Sequence, residues 1–147
     1  MLSQGVEVCG SLRPGSSSAN IDPIRHAIAL YQVELNQAPQ VAAVIKETRP
    51  ELIFHLAAQA AVGRSWQDPQ GTLVNNIVAQ LNVLQAVIAA HIDPSILILG
   101  SKEEYGMPHP HELPIREENP LRPTNPYGVS KVAQDMMGYQ YFCSHGL

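Results

Sequence analysis

No excess of one charge marks this 147-residue chain. Nine Lys and Arg against thirteen Asp and Glu leave a formal net charge of -4, which argues against a nucleic-acid surface. Cysteine is scarce: Cys9 and Cys143 are the only two. They make no disulfide framework and read as reduced thiols of a cytoplasmic protein. There is no C-x-x-C or H-E-x-x-H spacing, so no metal is expected. No uninterrupted apolar run reaches bilayer length, and the start does not read as a signal peptide, so no membrane partner is expected. The 45% apolar fraction is ordinary for a globular protein, and the length suits one domain with a buried core.

Between the turn signals, apolar periodicity alternates. Val6 to Cys9 reads as a strand and Ser11 to Asn20 as a loop. Ile28 to Leu35 reads as a second strand, Gln40 to Thr48 as a helix stopped by Pro50. Leu52 to Ala57 has the near-continuous apolar character of a strand buried on both faces. From Gln70 to about His91, Leu73, Ile77, Leu81, Leu84 and Ile88 form a helical stripe. Ser95 to Gly100 reads as the next strand, and a Pro-rich loop follows to about Thr124. Pro126 opens a helix running to about Cys143. Strands alternating with helices predict an α/β fold with a Rossmann-like, doubly wound parallel sheet.

In such sheets ligands bind beyond the carboxyl ends of the strands. Ser101 sits there, with Glu103 and Tyr105 following. Tyr127 and Lys131, in NPYGVSK, lie four apart on one helix face. An ammonium beside a phenol favours the phenolate, so this pair suits proton exchange with a hydroxyl. On its own Y-x-x-x-K reads rather as a surface helix with a snorkelling lysine; the rest of the chain, beginning with Ser101 and Glu103, turns the reading toward chemistry.

Four segments carry a family resemblance: RPELIFHLAAQAAVGRSW, NNIVAQLNVLQAV, LILGSKEEYG and LRPTNPYGVSKVAQDMMGYQY. Together they resemble the extended short-chain dehydrogenases/reductases (the NAD-dependent epimerase/dehydratase family), in the branch of GDP-mannose 4,6-dehydratase and GDP-4-keto-6-deoxy-D-mannose reductase. The resemblance implies a nucleotide-sugar enzyme, a GDP-sugar being favoured. It implies that Ser101 hydrogen-bonds the oxygen on sugar carbon 4 and that Tyr127 is its acid/base. Lys131 would lower the Tyr127 pKa and bind the nicotinamide ribose. Glu103 would take the proton from carbon 5 and help expel water from carbon 6; the reductases also carry a glutamate there. Lys102 departs from the small or acidic residue usual at its place. Leu56, Ala57, Ala58 and Gln59 match the loop under the cofactor, and Glu34 and Leu35 the pair near adenine. Asn76 would hold backbone beside the site, and Ser65 would lie close to substrate.

The first strand ends in GSLR. Where an acidic residue would grip the ribose of NAD, Arg13 is either a partner for the 2′-phosphate of NADP or a solvated loop arginine. NADP is the expected cofactor and NAD the alternative. His109 and His111 read as solvated loop residues, His55 as structural, and Trp66 as near the sugar or merely packed. A homodimer through the Tyr127 helix and the helix before it is also implied.

No glycine-rich G-x-x-G-x-x-G turn is present, although this fold ordinarily opens with one. The chain therefore reads as residues 1–147 of a partial dinucleotide-binding domain that lacks its first, central strand. Marginal stability or association is the expected consequence. The main alternatives to a dehydratase are the 4-keto reductase, a nucleotide-sugar 4-epimerase and, in another class, a non-catalytic remnant.

Overall fold

The computed structural model describes residues 1–147. Four short strands form: β1 (Cys9–Leu12), β2 (Ala29–Gln32), β3 (Leu52–His55) and β4 (Ser95–Ile98). The helices are α1 (Ala38–Thr48), α2 (Val62–Gln67), α3 (Pro69–Leu73), α4 (Ala79–Ala89) and α5 (Pro126–His145). All pairing is parallel, as the alternation of strands and helices predicts. β2, β3 and β4 are shorter than the apolar runs suggested, and β1 keeps the expected length but begins three residues late, because strand ends are set by pairing. Cys9 pairs with Ala29 and Leu12 with Gln32; Leu52 pairs with Ser95 and His55 with Ile98.

The strands make two separate pairs, β1–β2 and β3–β4. A common core holds the pairs together. Val33, just past β2, packs with Val41 and Ile45 of α1 and with Val83, Ala86 and Val87 of α4. Tyr31, Ile53 and Ile96 reach the same cluster from the strands. One face of both pairs is thus covered. The other is open: Leu52, Phe54 and Leu97 are each 45% exposed and Leu99 50%. This corrects the expectation that Leu52 to Ala57 is buried on both faces. Its period-two residues Leu52, Phe54 and Leu56 all point to the face that no helix covers.

The run Pro69–Ala89 is continuous helix, interrupted by one wide π turn at Val74–Val78. A π turn adds a residue and rotates the face downstream of it. The buried positions are Thr72, Asn76, Ala79, Gln80, Val83, Leu84, Ala86 and Val87, and most of the expected stripe is displaced by one, starting at Thr72 upstream of the π turn. By length and mean composition this run is apolar enough to cross a bilayer, although it is not an unbroken apolar run. Uncharged Asn and Gln interrupt it without making it polar on average. Here it is a core helix packed on α1 and α5.

Only 22 of 147 residues are buried, and the accessible surface is 9315 Å². A folded monomer of 16.0 kDa is expected to expose roughly 7,400 Å². The excess sits partly on the open sheet face. We therefore predict that the 147-residue chain associates in solution through that face. Sedimentation should show species above monomer mass for the wild type and a shift toward monomer for Phe54→Ser/Leu97→Ser, with helical circular dichroism retained. A wild-type chain that is monomeric and melts in one sharp transition far above physiological temperature would contradict this.

Candidate functional site

Two clusters lie at the carboxyl ends of the strands. The first grows from the end of β4. Ser101 caps a 3-10 turn, Lys102–Glu104: its Oγ accepts from the Glu103 backbone N–H at 3.2 Å, and Glu104 Oε1 accepts from the Ser101 N–H at 2.6 Å. That is a reciprocal capping box. Asn125 caps α5 by accepting from the Gly128 N–H at 2.8 Å, and its Nδ2 donates to Glu103 Oε2 at 2.7 Å. Gly128 permits the closest approach. A Cβ there would stand 2.5 Å from the Glu103 carbonyl oxygen, so only glycine lets the first turn of α5 lie against the capped turn. Gly106, at φ +62, closes the following loop against Arg122. These contacts bring Ser101, Glu103, Tyr127 and Lys131 to one end of β4.

Each member has a distinct environment. Tyr127 and Lys131 are buried, at 9% and 3% exposure. Burial pushes the Lys131 ammonium below its ordinary pKa, and the Glu104 charge partly opposes this. Its Nζ donates to Gln134 Oε1 at 2.9 Å. The Glu103 carboxyl is held below the usual range, first by Lys102, which donates at 2.9 Å, and then by Asn125. Glu104, buried beside it, is pushed up by desolvation. His55 at the end of β3 is lowered to about 4, by burial and then by the Lys131 charge.

The second cluster is a cavity of about 450 Å³. Of the expected cofactor residues, Arg13, Glu34, Leu35, Ala57, Ala58 and Gln59 line it. Leu56 lies outside it and is 60% exposed. Arg13 Nε meets Glu34 Oε2 at 3.1 Å in an exposed pair. Two buried polar atoms on the lining have no partner, the acceptor Asn36 Oδ1 and the donor Gln59 Nε2. Arg64 also lines the cavity and makes no ion pair. Unpaired donor and acceptor atoms make the lining polar; the guanidiniums of Arg13 and Arg64 are matched in number by the carboxylates of Glu34 and Asp68, and Arg64 is the cation left without an ion pair to meet an anionic group such as a nucleotide pyrophosphate.

Asn76, fully buried in the π turn, joins the clusters. Its Oδ1 accepts from the Gln59 N–H at 2.7 Å on the cavity side, and its Nδ2 donates to Ser130 Oγ at 2.8 Å on α5. Ser65, expected near substrate, has no exposed surface, and its hydroxyl donates to the Val62 carbonyl at 2.7 Å. Trp66 is 63% exposed. The rings of His109 and His111 stack at 5.6 Å, and Glu112 is taken by Arg122 and by the His109 N–H.

The family model described as GDP-mannose 4,6 dehydratase matches residues 1–147. The chain belongs to this family. It is a family of nucleotide-sugar enzymes with a Rossmann-type α/β domain. GDP-6-deoxy-D-mannose reductase of Pseudomonas aeruginosa is 37% identical over 97 residues, 66% of this chain and 32% of that protein. The structure of UDP-glucose 4-epimerase from Thermus thermophilus in complex with NAD superposes with a TM-score of 0.88 at 26% identity, over 99% of this chain and 46% of that one. The structure of RMD from Pseudomonas aeruginosa complexed with NADPH gives 0.78 at 28% identity, over 96% and 51%. The chain thus spans about a third of the length of such curated relatives.

Several residues of the site escaped the sequence reading. Glu104 had a signal, because S-K-E-E is a capping-box pattern. Asn125 before Pro126 had one too, as an N-cap. Gln134 and Arg64 had none beyond their place on a helix face. The depressed His55 pKa gives a direct check. Between about pH 6.5 and 4 the unfolded chain binds a proton at His55 that the folded chain refuses, so this group lowers stability as pH falls through that window and is neutral in effect above it. The His55 ring resonance should keep its neutral shift down to about pH 5 and titrate near 4. A midpoint near 6.5 would show that the ring is not buried against Lys131.

Proposed function

We propose that this chain carries the cofactor site and the proton-transfer site of an NADP-dependent enzyme of the GDP-mannose 4,6-dehydratase type, acting on a GDP-sugar. The observation that carries the reading is the interlock of Asn125, Gly128 and Glu103, which gathers Ser101, Glu103, Tyr127 and Lys131 at the end of β4. NADP, when bound, would supply the redox chemistry, accepting hydride from sugar carbon 4 and returning it to carbon 6. The chain's own residues handle protons and charge. Tyr127 exchanges the proton of the carbon 4 oxygen, and the Ser101 hydroxyl donates to that oxygen. Lys131, one turn further along α5, presents its ammonium to the nicotinamide ribose. Glu103 takes the carbon 5 proton and passes one to the hydroxyl leaving carbon 6.

A 4-keto reductase is the second reading, and one observation favours it. Both Glu103 oxygens are engaged, by Lys102 and by Asn125, and the lowered pKa makes that carboxylate a weaker base. Reduction of a 4-keto sugar needs no carbon-bound proton removed by Glu103. In either reading we place the enzyme in the cytoplasm, in keeping with two free, exposed cysteines. We also assign a homodimer through α5, whose Met136, Tyr139 and Phe142 are 48%, 67% and 62% exposed at helical spacing.

Arg13 carries the cofactor preference. A charge-assisted hydrogen bond to the 2′-phosphate is worth about 1.5–3 kcal/mol. Arg13→Ala should therefore weaken NADPH binding by about ten- to a hundredfold and leave NADH binding unchanged, by calorimetry. Equal loss for both cofactors would remove the NADP assignment. Supplying GDP-mannose with NADP, and separately a GDP-4-keto-6-deoxy sugar with NADPH, then distinguishes the readings. A 4-keto-6-deoxy product in the first supports the dehydratase; NADPH consumed only in the second supports the reductase.

A further inference from the structure

Gln134 is 1% exposed, and its side chain makes contacts that no other residue of α5 makes. Oε1 accepts from Lys131 Nζ at 2.9 Å, while Nε2 donates to the Asn76 backbone carbonyl at 3.0 Å and lies 3.5 Å from His55 Nε2. Its own carbonyl accepts from Gln80 Nε2 at 2.7 Å, which ties this turn of α5 to the start of α4. The orientation of the amide is determined by its partners. Turned over, its NH₂ would face an ammonium and its oxygen a carbonyl, and neither pair can hydrogen-bond. Lys131 has no ion pair within salt-bridge reach. The charged and titratable groups around it are Glu104 on the 3-10 turn, His55 on β3, Asp135 beyond Glu104, and Tyr127 one turn back on α5. Gln134 Oε1 is thus the one acceptor hydrogen-bonded to a buried ammonium.

We propose that Gln134 is the positioning residue for Lys131: its amide, anchored on the Asn76 carbonyl, holds the ammonium in place within the proton-transfer site. The functional meaning rests on the role of Lys131 proposed above, but the contact itself does not. Removing the acceptor leaves a buried charge unsatisfied, whereas a carboxylate in its place stabilises that charge. The two changes must therefore move Lys131 in opposite directions, a signature that loosened packing would not give.

The chain has three lysines, Lys46, Lys102 and Lys131, so selective 13Cε labelling of lysine gives three signals with two exposed internal controls. Gln134→Leu should lower the Lys131 midpoint by about 1–2 pH units, and Gln134→Glu should raise it, with Lys46 and Lys102 unmoved. If Gln134→Leu does not fold, the upward shift in Gln134→Glu alone decides. A Lys131 midpoint that stays put in Gln134→Glu, or that moves the same way in both variants, overturns the proposal. The titration needs no turnover. A wild-type chain that fails to bind NADPH would count against the proposed function and leave this result standing.

Discussion

The hydrogen bonds of Asn76 are the constraint on which the rest of the site depends. A fully buried amide must satisfy its donors and acceptor inside the protein, because an orphaned one costs about 1–3 kcal/mol. Asn76 does so by reaching three segments: the Gln59 backbone, the Ser130 hydroxyl and, through its own carbonyl, Gln134. The π turn that carries it supplies the reach, since a regular helix would aim this position elsewhere. Ser130 in turn donates to the Tyr127 carbonyl at 2.7 Å. One side chain thereby links the loop beneath the cavity to the turn of α5 that bears Tyr127 and Lys131.

Electrostatics divides the labour between the two clusters. The chain is acidic overall, and the cavity sets Arg13 and Arg64 against Glu34 and Asp68, with Arg64 left without an ion pair to face an anionic ligand. The cluster at the end of β4 is more deeply buried. There an ammonium, an imidazole and a carboxyl share a small volume, and each shifts toward its neutral form. Burial alone would make that arrangement costly. The Gln134 amide and the capping box offset it by giving the buried charges fixed, correctly oriented partners.

Much of this was readable before any coordinates. The parallel α/β alternation followed from periodicity, and the Tyr127–Lys131 spacing from helix geometry. The cap at Asn125 and the capping box at Ser101–Glu104 are local patterns, because a cap involves residues within one turn of each other. What was not readable depends on contacts between distant segments. Gln134 meets Asn76 across 58 residues, and no spacing rule signals that. The buried stripe runs through Thr72, Asn76 and Gln80 and not Leu73, Ile77 and Leu81, because an apolar pattern does not reveal that polar side chains face the interior. Ser65 was placed by resemblance alone, and its hydroxyl turned out to serve its own helix. Exposed sheet surface was expected from the missing strand, but which residues bear it was hidden, because Leu52, Phe54 and Leu97 have the apolar character of buried strand residues whether or not anything covers them.

We infer that the cavity and the cluster at the end of β4 act as one site, because Asn76 hydrogen-bonds the backbone of one and α5 of the other. Amide NMR during an NADPH titration of the 15N-labelled chain tests this coupling. The Gln59 and Ser130 amide signals should both move, with a single dissociation constant. Movement at Gln59 with Ser130 and its neighbours on α5 unperturbed at saturation would contradict it.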